Sequence, residues 1–267
     1  MSAVSQPLFA HDFGSGARKV LALHCTMAHS GAWRGLSQAL EAQTTFHCLD
    51  MYNHGRSPDW DGQGDFQDRM VKAAAAHLSE PMDVVGHSFG ATVALRLAID
   101  HPDLVRTLSI IEPVYFAVAA QDQPELVPLE KAKSAPFYAE VHAGNFETAA
   151  RIFNRGWGGD SGRPWAELSE KTRAAMARGV QIVPACAPAI IDDLHAIMTP
   201  GVLEAVSMPT LLLRGGTSEK IIGVVNDGLA RRMPNTLNEV VEGAGHMVPL
   251  THVPETAAAL GRLFEMG

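Results

Sequence analysis

The most informative segment of the sequence is Met82-Asp83-Val84-Val85-Gly86-His87-Ser88-Phe89-Gly90. The apolar residues before Gly86 predict a strand over 82–86, and the small apolar residues after Ser88 predict a helix over 89–99. A sharp turn between such a strand and helix lifts a serine side chain above the edge of a sheet. Glycines two residues before and after the serine suit a turn that is too tight for side chains. The pattern therefore predicts that Ser88 is a nucleophile.

Short apolar runs alternate with helical patterns on both sides of this segment. Strands are predicted at 18–24, 45–50, 106–111, 209–213 and 237–241, and helices at 33–42, 65–79, 224–233 and 255–265. Such alternation is typical of a mostly parallel sheet with helices on both faces. The predicted fold class is therefore α/β.

The alternation stops between residues 113 and 200, where helical patterns such as 146–154 and 165–179 occur without a strong strand pattern. We predict a core domain of residues 1–112 and 201–267, with residues 113–200 inserted as a helical cap. The cap would lie over the carboxyl edge of the sheet, where open α/β sheets bind ligands. The alternative is that these helices form another layer of the same core.

Composition excludes several classes of protein. Of the 267 residues, 46% are hydrophobic and 19% are charged, which excludes a disordered chain, and the net charge of −8 without a basic block argues against nucleic-acid binding. There is no long apolar run, and residues 1–7 lack a signal-peptide pattern. The separated Cys25, Cys48 and Cys186 suit a reducing compartment. We expect a cytoplasmic monomer or homodimer that acts on a small molecule, without a membrane partner.

A serine nucleophile needs a base, and His246 is the candidate. It lies in the loop Gly243-Ala244-Gly245-His246-Met247, after a predicted strand and before the last helix. Such a loop can place an imidazole over Ser88, where it acts as general base and then as general acid. The other histidines show no zinc-binding spacing, and no dinucleotide-binding glycine pattern follows a strand. We therefore expect neither a metal nor another cofactor.

Two glutamates are candidates for the acid that orients His246. Glu112 directly follows strand 106–111, whereas Glu219 lies several residues beyond strand 209–213, after two glycines. Because Pro113 restricts the residue before it to extended geometry, we expect Glu112 to be better fixed than Glu219. Glu112 is the favoured acid, and Glu219 stays open as the alternative.

Taken in order, these segments resemble the α/β-hydrolase family, in the form that has a serine nucleophile and a helical cap. The resemblance covers essentially the whole chain: strand 20–24 with His24-Cys25-Thr26, Asp50 with the loop 53–57, the turn at Ser88, the segment 209–215 and the loop at His246. It implies an α/β-hydrolase fold and a triad of Ser88, His246 and a carboxylate. Ser218 stands at the family's usual acid position, which puts the acid's identity in doubt.

The resemblance also implies an oxyanion hole formed by the backbone N–H groups of Thr26 and Phe89. The family usually has glycine where this chain has Cys25, so we expect a narrower hole, with Cys25 as a small buried side chain. His87 and Trp157 are expected to flank the pocket. The predicted substrate-binding residues are therefore Thr26, Phe89, Cys25, His87 and Trp157.

The predicted function is a serine hydrolase that cleaves a small carboxylic ester, or a related acyl compound, through an acyl-enzyme. One alternative is a carbon–carbon bond hydrolase of the same fold. Those relatives tend to have Asn before the serine and Trp after the histidine, where this chain has His87 and Met247. The other alternative is a ligand-binding protein with weak or no turnover.

Overall fold

The computed structural model describes residues 7–158 and 164–267, so parts of both predicted domains, residues 1–6 and 159–163, lie outside the described residues. The described residues form a seven-stranded sheet in the order β1-β3-β2-β4-β5-β6-β7. Its strands are β1 (Ala10–Gly14), β2 (Arg18–Leu23), β3 (Thr44–Leu49), β4 (Met82–His87), β5 (Val105–Ile111), β6 (Thr210–Gly215) and β7 (Thr236–Val241). Only β1 is antiparallel to its neighbour among these described pairs. The predicted α/β fold is confirmed.

The helices of the described residues flank this sheet and fill the interval between β5 and β6. They are α1 (Arg34–Ala39), α2 (Phe66–Ala75), α3 (Phe89–Asp100), α4 (Ala117–Asp122), α5 (Leu126–His142), α6 (Phe146–Trp157), α7 (Glu170–Gly179), α8 (Val183–Ile190), α9 (Lys220–Arg232), α10 (Val248–Thr251) and α11 (Val253–Phe264). Apart from its last two residues, α3 is fully buried, which its small apolar side chains permit. None of the helices in the described ranges has the length and apolar character needed to cross a bilayer.

The sequence did not predict β1. Its residues Ala10–Gly14 include His11 and Asp12, and they are only partly buried. The strand pairs in antiparallel orientation with β3 at the edge of the sheet. An edge strand is solvated on one side, so it lacks the continuous apolar run that marks the buried parallel strands.

The interval between β5 and β6 contains α4 to α8 and, among its described residues, no strand. Apolar side chains from α5, α6 and the turn after α7, among them Phe137, Ala149 and Val180, form a cluster separate from the main core. In contrast, α4 packs on α9, where a Cβ on Gly228 would lie 2.2 Å from Val118. The bounds 113–200 of a cap therefore stay a prediction.

Candidate active site

Ser88 occupies the turn between β4 and α3. Its backbone has φ 56° and ψ −118°, a strained conformation that the sheet holds through a 2.9 Å hydrogen bond from the Ser88 N–H to the Ile111 carbonyl. A Cβ on Gly86 would lie 2.2 Å from the Gly90 carbonyl oxygen, and one on Gly90 would lie 2.2 Å from the Leu23 carbonyl oxygen. Both glycines are therefore required for the close approach of β4, α3 and β2.

His246 follows β7 in a loop that brings its imidazole to Ser88. The distance from His246 Nε2 to Ser88 Oγ is 3.0 Å, and the distance from His246 Nδ1 to Glu112 Oε2 is 2.9 Å. Serine, imidazole and carboxylate thus form one chain of hydrogen bonds. In this chain the carboxylate fixes the imidazole tautomer, and the second ring nitrogen is free to accept the serine proton.

The Glu112 carboxylate is completely buried, and it is held from the end of β6 as well as by His246. Its Oε1 accepts hydrogen bonds from the Gly215 N–H at 2.5 Å and from the Ser218 hydroxyl at 2.7 Å. With His246, these donors satisfy the oxygens of a carboxylate that is shielded from water. Ser218, at the position where the family usually has its acid, therefore donates to the carboxylate of Glu112, which follows another strand. The sequence analysis missed this contact.

The backbone of Glu112 differs from the expectation based on Pro113. Its φ is +53°, in the left-handed region, rather than extended. The Glu112 N–H donates to the Leu213 carbonyl at 2.9 Å, so the pairing of β5 with β6 continues to this residue and sets its conformation. Tertiary pairing outweighs the local preference that proline imposes on the preceding residue.

Glu219 lies away from the imidazole. It immediately precedes α9, is partly exposed, and forms an ion pair with Lys133 of α5. No contact between Glu219 and His246 occurs within the described structure. The geometry therefore brings Glu112, and not Glu219, to the imidazole.

His87 supports the loop of His246 instead of facing a cavity. It is buried, and its Nε2 lies 2.7 Å from the His246 carbonyl oxygen. Desolvation by burial lowers the pKa of His87 to about 3, so the ring is uncharged at neutral pH. Because a carbonyl only accepts, His87 Nε2–H is the donor. His87 was expected to bind substrate, but within the described residues it lines neither cavity beside Ser88.

Thr26 and Phe89, the predicted oxyanion donors, lie on either side of Ser88. Thr26 is in a turn closed by a 3.1 Å hydrogen bond from the Ala28 N–H to the Cys25 carbonyl. Within residues 7–158 and 164–267, the backbone N–H groups of Thr26 and Phe89 donate to no protein acceptor. Both groups are thus available to a ligand, and their convergence on one oxygen stays a prediction.

Cys25 lines the smaller of the two cavities described below, but it is almost completely buried. Desolvation raises the pKa of its thiol to about 12, so the thiol is protonated at neutral pH. A buried protonated thiol behaves as a small apolar side chain. Cys25 therefore contributes wall surface rather than a nucleophile.

A larger and a smaller cavity meet at Ser88. The larger has a volume of about 700 Å³, and its lining includes Phe89 and apolar side chains of the helices between β5 and β6, among them Val127, Phe137, Ile152, Val183 and Ile190. The smaller has a volume of about 240 Å³ and is lined on one side by His246, Met247 and Leu250. The larger volume lies within the range of about 300–1,000 Å³ that is usual for small-molecule sites.

Trp157 and Phe153 of α6 lie at the boundary of the two cavities, since both residues line both of them. The Trp157 ring centroid lies 5.0 Å from that of His246 and 6.3 Å from that of Phe153. Trp157 was predicted to flank the pocket, whereas Phe153 was missed. The four-residue spacing of these aromatics places them on one face of a helix, and this was the available signal.

Within the described residues, no group of three or more His, Cys, Asp or Glu side chains is arranged to hold a metal ion.

Comparison with known proteins identifies relatives over nearly the whole chain. The profile of the "Alpha/beta hydrolase family" matches residues 20–259. Lipase LipV of Mycobacterium tuberculosis is 30% identical over 256 residues, covering 92% of this chain and 93% of that protein. A pimeloyl-[acyl-carrier protein] methyl ester esterase of Nitrosomonas europaea is 26% identical over 242 residues, covering 91% and 93%.

Solved structures show the same fold. An alpha/beta hydrolase from Sphaerobacter thermophilus superposes with a TM-score of 0.70 at 20% identity, covering 95% of this chain and 96% of that chain.

Proposed function

The chain belongs to the alpha/beta hydrolase family, and we propose that it is an esterase that uses Ser88, His246 and Glu112 as a catalytic triad. It is a hydrolase, and relatives named as an esterase and a lipase support ester hydrolysis in general. The observation that carries the proposal is the chain of hydrogen bonds from Ser88 through His246 to Glu112, at 3.0 and 2.9 Å.

The first half of the reaction forms an acyl-enzyme. Ser88 Oγ attacks the ester carbonyl carbon while His246 Nε2 accepts the hydroxyl proton, and the Glu112 carboxylate stabilises the imidazolium. The carbonyl oxygen becomes an oxyanion, to which the Thr26 and Phe89 N–H groups donate. When the tetrahedral intermediate collapses, its bond to the alcohol oxygen breaks. His246 then gives its proton to the departing alcohol.

The second half releases the acid. Water takes the place of the alcohol, and His246 Nε2 accepts one of its protons as the water oxygen attacks the acyl carbon. Collapse of this second intermediate breaks the bond to Ser88 Oγ, which regains its proton from His246. The products are the carboxylic acid and the free enzyme.

The position of His246 supports an assignment of the two cavities to the two parts of the ester. Since His246 protonates the alcohol, the alcohol must leave on the His246 side, and His246 lines the smaller cavity. The acyl chain then extends into the larger, apolar cavity that begins at Ser88 and Phe89. We propose esters with an extended apolar acyl chain and a compact alcohol. A relative named as a methyl ester esterase fits this preference.

The compartment we propose is the cytoplasm. Cys25, Cys48 and Cys186 are all buried and free in the described structure, which suits a reducing environment. The prediction of a monomer or homodimer is kept unchanged.

The first test asks whether Ser88 is the nucleophile. A fluorophosphonate should label the wild-type protein at Ser88, and Ser88→Ala should abolish labelling and lower kcat by about 10³-fold or more. The fold of the variant is checked by its thermal unfolding. A wild-type protein that is not labelled, or a variant that keeps its turnover, would contradict the proposal and favour a binding protein.

The second test compares isomeric esters. Methyl octanoate has a long acyl chain and a small alcohol, whereas heptyl acetate has the reverse arrangement. We expect kcat/KM to be at least about tenfold higher for methyl octanoate, because the proposed arrangement places its long acyl chain in the larger, apolar cavity. Equal values, or a preference for heptyl acetate, would reverse the assignment of the two cavities.

A further inference from the structure

His54 lies directly behind the turn that contains Thr26. It is buried, and its Nε2 accepts a 2.9 Å hydrogen bond from the Met27 N–H. Its Nδ1 lies 2.8 Å from the Tyr52 carbonyl oxygen. Because a carbonyl only accepts and an N–H only donates, these partners together fix one tautomer, with the proton on Nδ1. An imidazole in this tautomer presents a single acceptor to the turn.

The surroundings of His54 keep the ring uncharged. Desolvation by burial lowers its pKa to about 3, and His24 and Arg178 act in the same direction, whereas Asp50 opposes them. A protonated Nε2 would lose the lone pair that accepts the Met27 N–H. The uncharged ring therefore preserves this contact throughout the neutral pH range.

The turn itself needs external support. Met27 has φ +65°, in the left-handed region that residues other than glycine rarely adopt. Such a conformation persists only where surrounding contacts enforce it. The Met27 N–H is held by His54, and the carbonyl of Cys25 lies 2.7 Å from His24 Nδ1. The two histidines thus fix the peptide groups on either side of Thr26.

The insertion between β5 and β6 packs against the His54 ring, beside its hydrogen bond with Met27. A Cβ on Gly179, the last residue of α7, would lie 2.6 Å from His54 Nε2. The neighbouring Arg178 donates to the Ser57 carbonyl at 2.6 Å and to the Asp59 carboxylate at 2.7 Å, so α7 is anchored to the loop that carries His54. The Met27 side chain packs against the apolar cluster of α5 and α6.

We propose that His54 is a positioning residue for the oxyanion hole. His54 holds the Thr26 N–H in place through its hydrogen bond with Met27, and the backbone of α7 at Gly179 holds His54 in turn. This inference rests on the proposed esterase function. It makes the geometry of the oxyanion hole depend on how the insertion is seated on the core. His54 touches no substrate and acts only through the turn.

The test replaces the imidazole with an aromatic ring that has no acceptor. His54→Phe removes the acceptor for the Met27 N–H, and we expect kcat for methyl octanoate to fall by about 10- to 100-fold, with KM within about threefold. His54→Gln retains an amide oxygen as an acceptor and should recover part of the loss. His77→Phe, a histidine remote from Ser88, is the control for removing an imidazole and should keep wild-type kcat.

A transition-state analogue distinguishes positioning from general damage. An alkyl trifluoromethyl ketone adds to a catalytic serine and places an oxyanion in the hole, so its affinity should fall in parallel with kcat. A merely structural role would change the unfolding temperature without weakening this inhibitor relative to the substrate. A folded His54→Phe with wild-type kcat and inhibitor affinity would overturn the proposal.

A second variant tests the contribution of α7 and keeps the proposal falsifiable if His54→Phe does not fold. Gly179→Ala adds a methyl group against His54 Nε2 and should lower kcat and inhibitor affinity together. Gly261→Ala is the matched control, since it is also helical and its Cβ would meet nothing within 4 Å. If Gly179→Ala behaves like Gly261→Ala, the link through α7 is wrong. Failure of the esterase proposal is distinct, since the wild-type protein would then not be labelled at Ser88.

Discussion

Glu112 and Glu219 are both near strand ends, but only the Glu112 carboxylate is buried and lies at hydrogen-bond distance from the His246 imidazole. Glu112→Gln removes the charge that stabilises the His246 imidazolium, and we expect kcat to fall by about 10³- to 10⁴-fold. Glu219→Gln breaks a partly exposed ion pair with Lys133 and should leave kcat within about threefold of the wild type. Steady-state kinetics on methyl octanoate compares the two variants. A Glu112→Gln variant that keeps kcat within about threefold of the wild type would remove Glu112 from the triad.

Ser218 offers a smaller change at the same carboxylate. Ser218→Ala removes the hydroxyl that donates to Glu112 Oε1 at 2.7 Å but leaves the Gly215 N–H in place. A hydrogen bond to a carboxylate contributes about 1.5 kcal/mol or more, equivalent to about tenfold, so we expect kcat to fall by about tenfold. Ser207→Ala, an exposed serine, is the control and should be neutral. A neutral Ser218→Ala would show that the backbone alone holds the acid.

At the scale of the elements, α6 places Trp157 at the boundary of the two cavities. Trp157→Ala joins them, so we expect the kcat/KM preference for methyl octanoate over heptyl acetate to fall by at least about fivefold. Trp165→Ala is the matched control, because Trp165 packs on the apolar cluster of the insertion rather than on His246. An unchanged preference in Trp157→Ala, measured with both esters, would mean that α6 does not divide the substrate.

The elements also show what the sequence could predict. Strands β2 to β6 are predictable because burial leaves mostly apolar runs, and Ser88 is predictable because its motif is local. Glu112 could be favoured from its place directly after a strand, but its contact with His246 spans 134 residues and is set by the fold. Ser218 and His54 were missed as supporting residues because their partners, Glu112 and Met27, are brought near only by the fold. The left-handed φ of Glu112 had no local signal, because pairing of β5 with β6 enforces it.

The whole molecule should lose stability in mild acid. Burial lowers the pKa of His24 to about 4, of His54 to about 3 and of His87 to about 3, while the ordinary value of 6.5 applies when the chain is unfolded. Below that ordinary value the unfolded chain binds protons that the folded chain does not, so stability falls as pH falls. Between the ordinary pKa and the lowered pKa of the folded protein, each such histidine lowers the free energy of unfolding by about 1.4 kcal/mol for every unit by which the pH falls.

Urea unfolding at pH 7.5, 6 and 5 measures this effect above the range in which most carboxylates titrate. We expect the midpoint to decrease progressively from pH 7.5 to pH 5. His77→Phe should flatten the dependence slightly, because burial and the neighbouring His47 also lower the pKa of His77. A midpoint that is constant over this range would mean that the buried histidines become charged without cost.

The proposed nucleophile and acid follow adjacent parallel strands, with Ser88 after β4 and Glu112 after β5. The register that pairs His87 with Ile111 therefore sets their spacing before any loop is considered. The helices between β5 and β6 enter the chain after this pair is complete. Replacing those helices by others would change most of the lining of the larger cavity. It would leave the distance between Ser88 and Glu112 unchanged. If the proposed triad and cap are correct, the sheet carries the chemistry and the inserted helices carry the selectivity, and the two parts meet at the contacts of Trp157 with His246 and of α7 with His54.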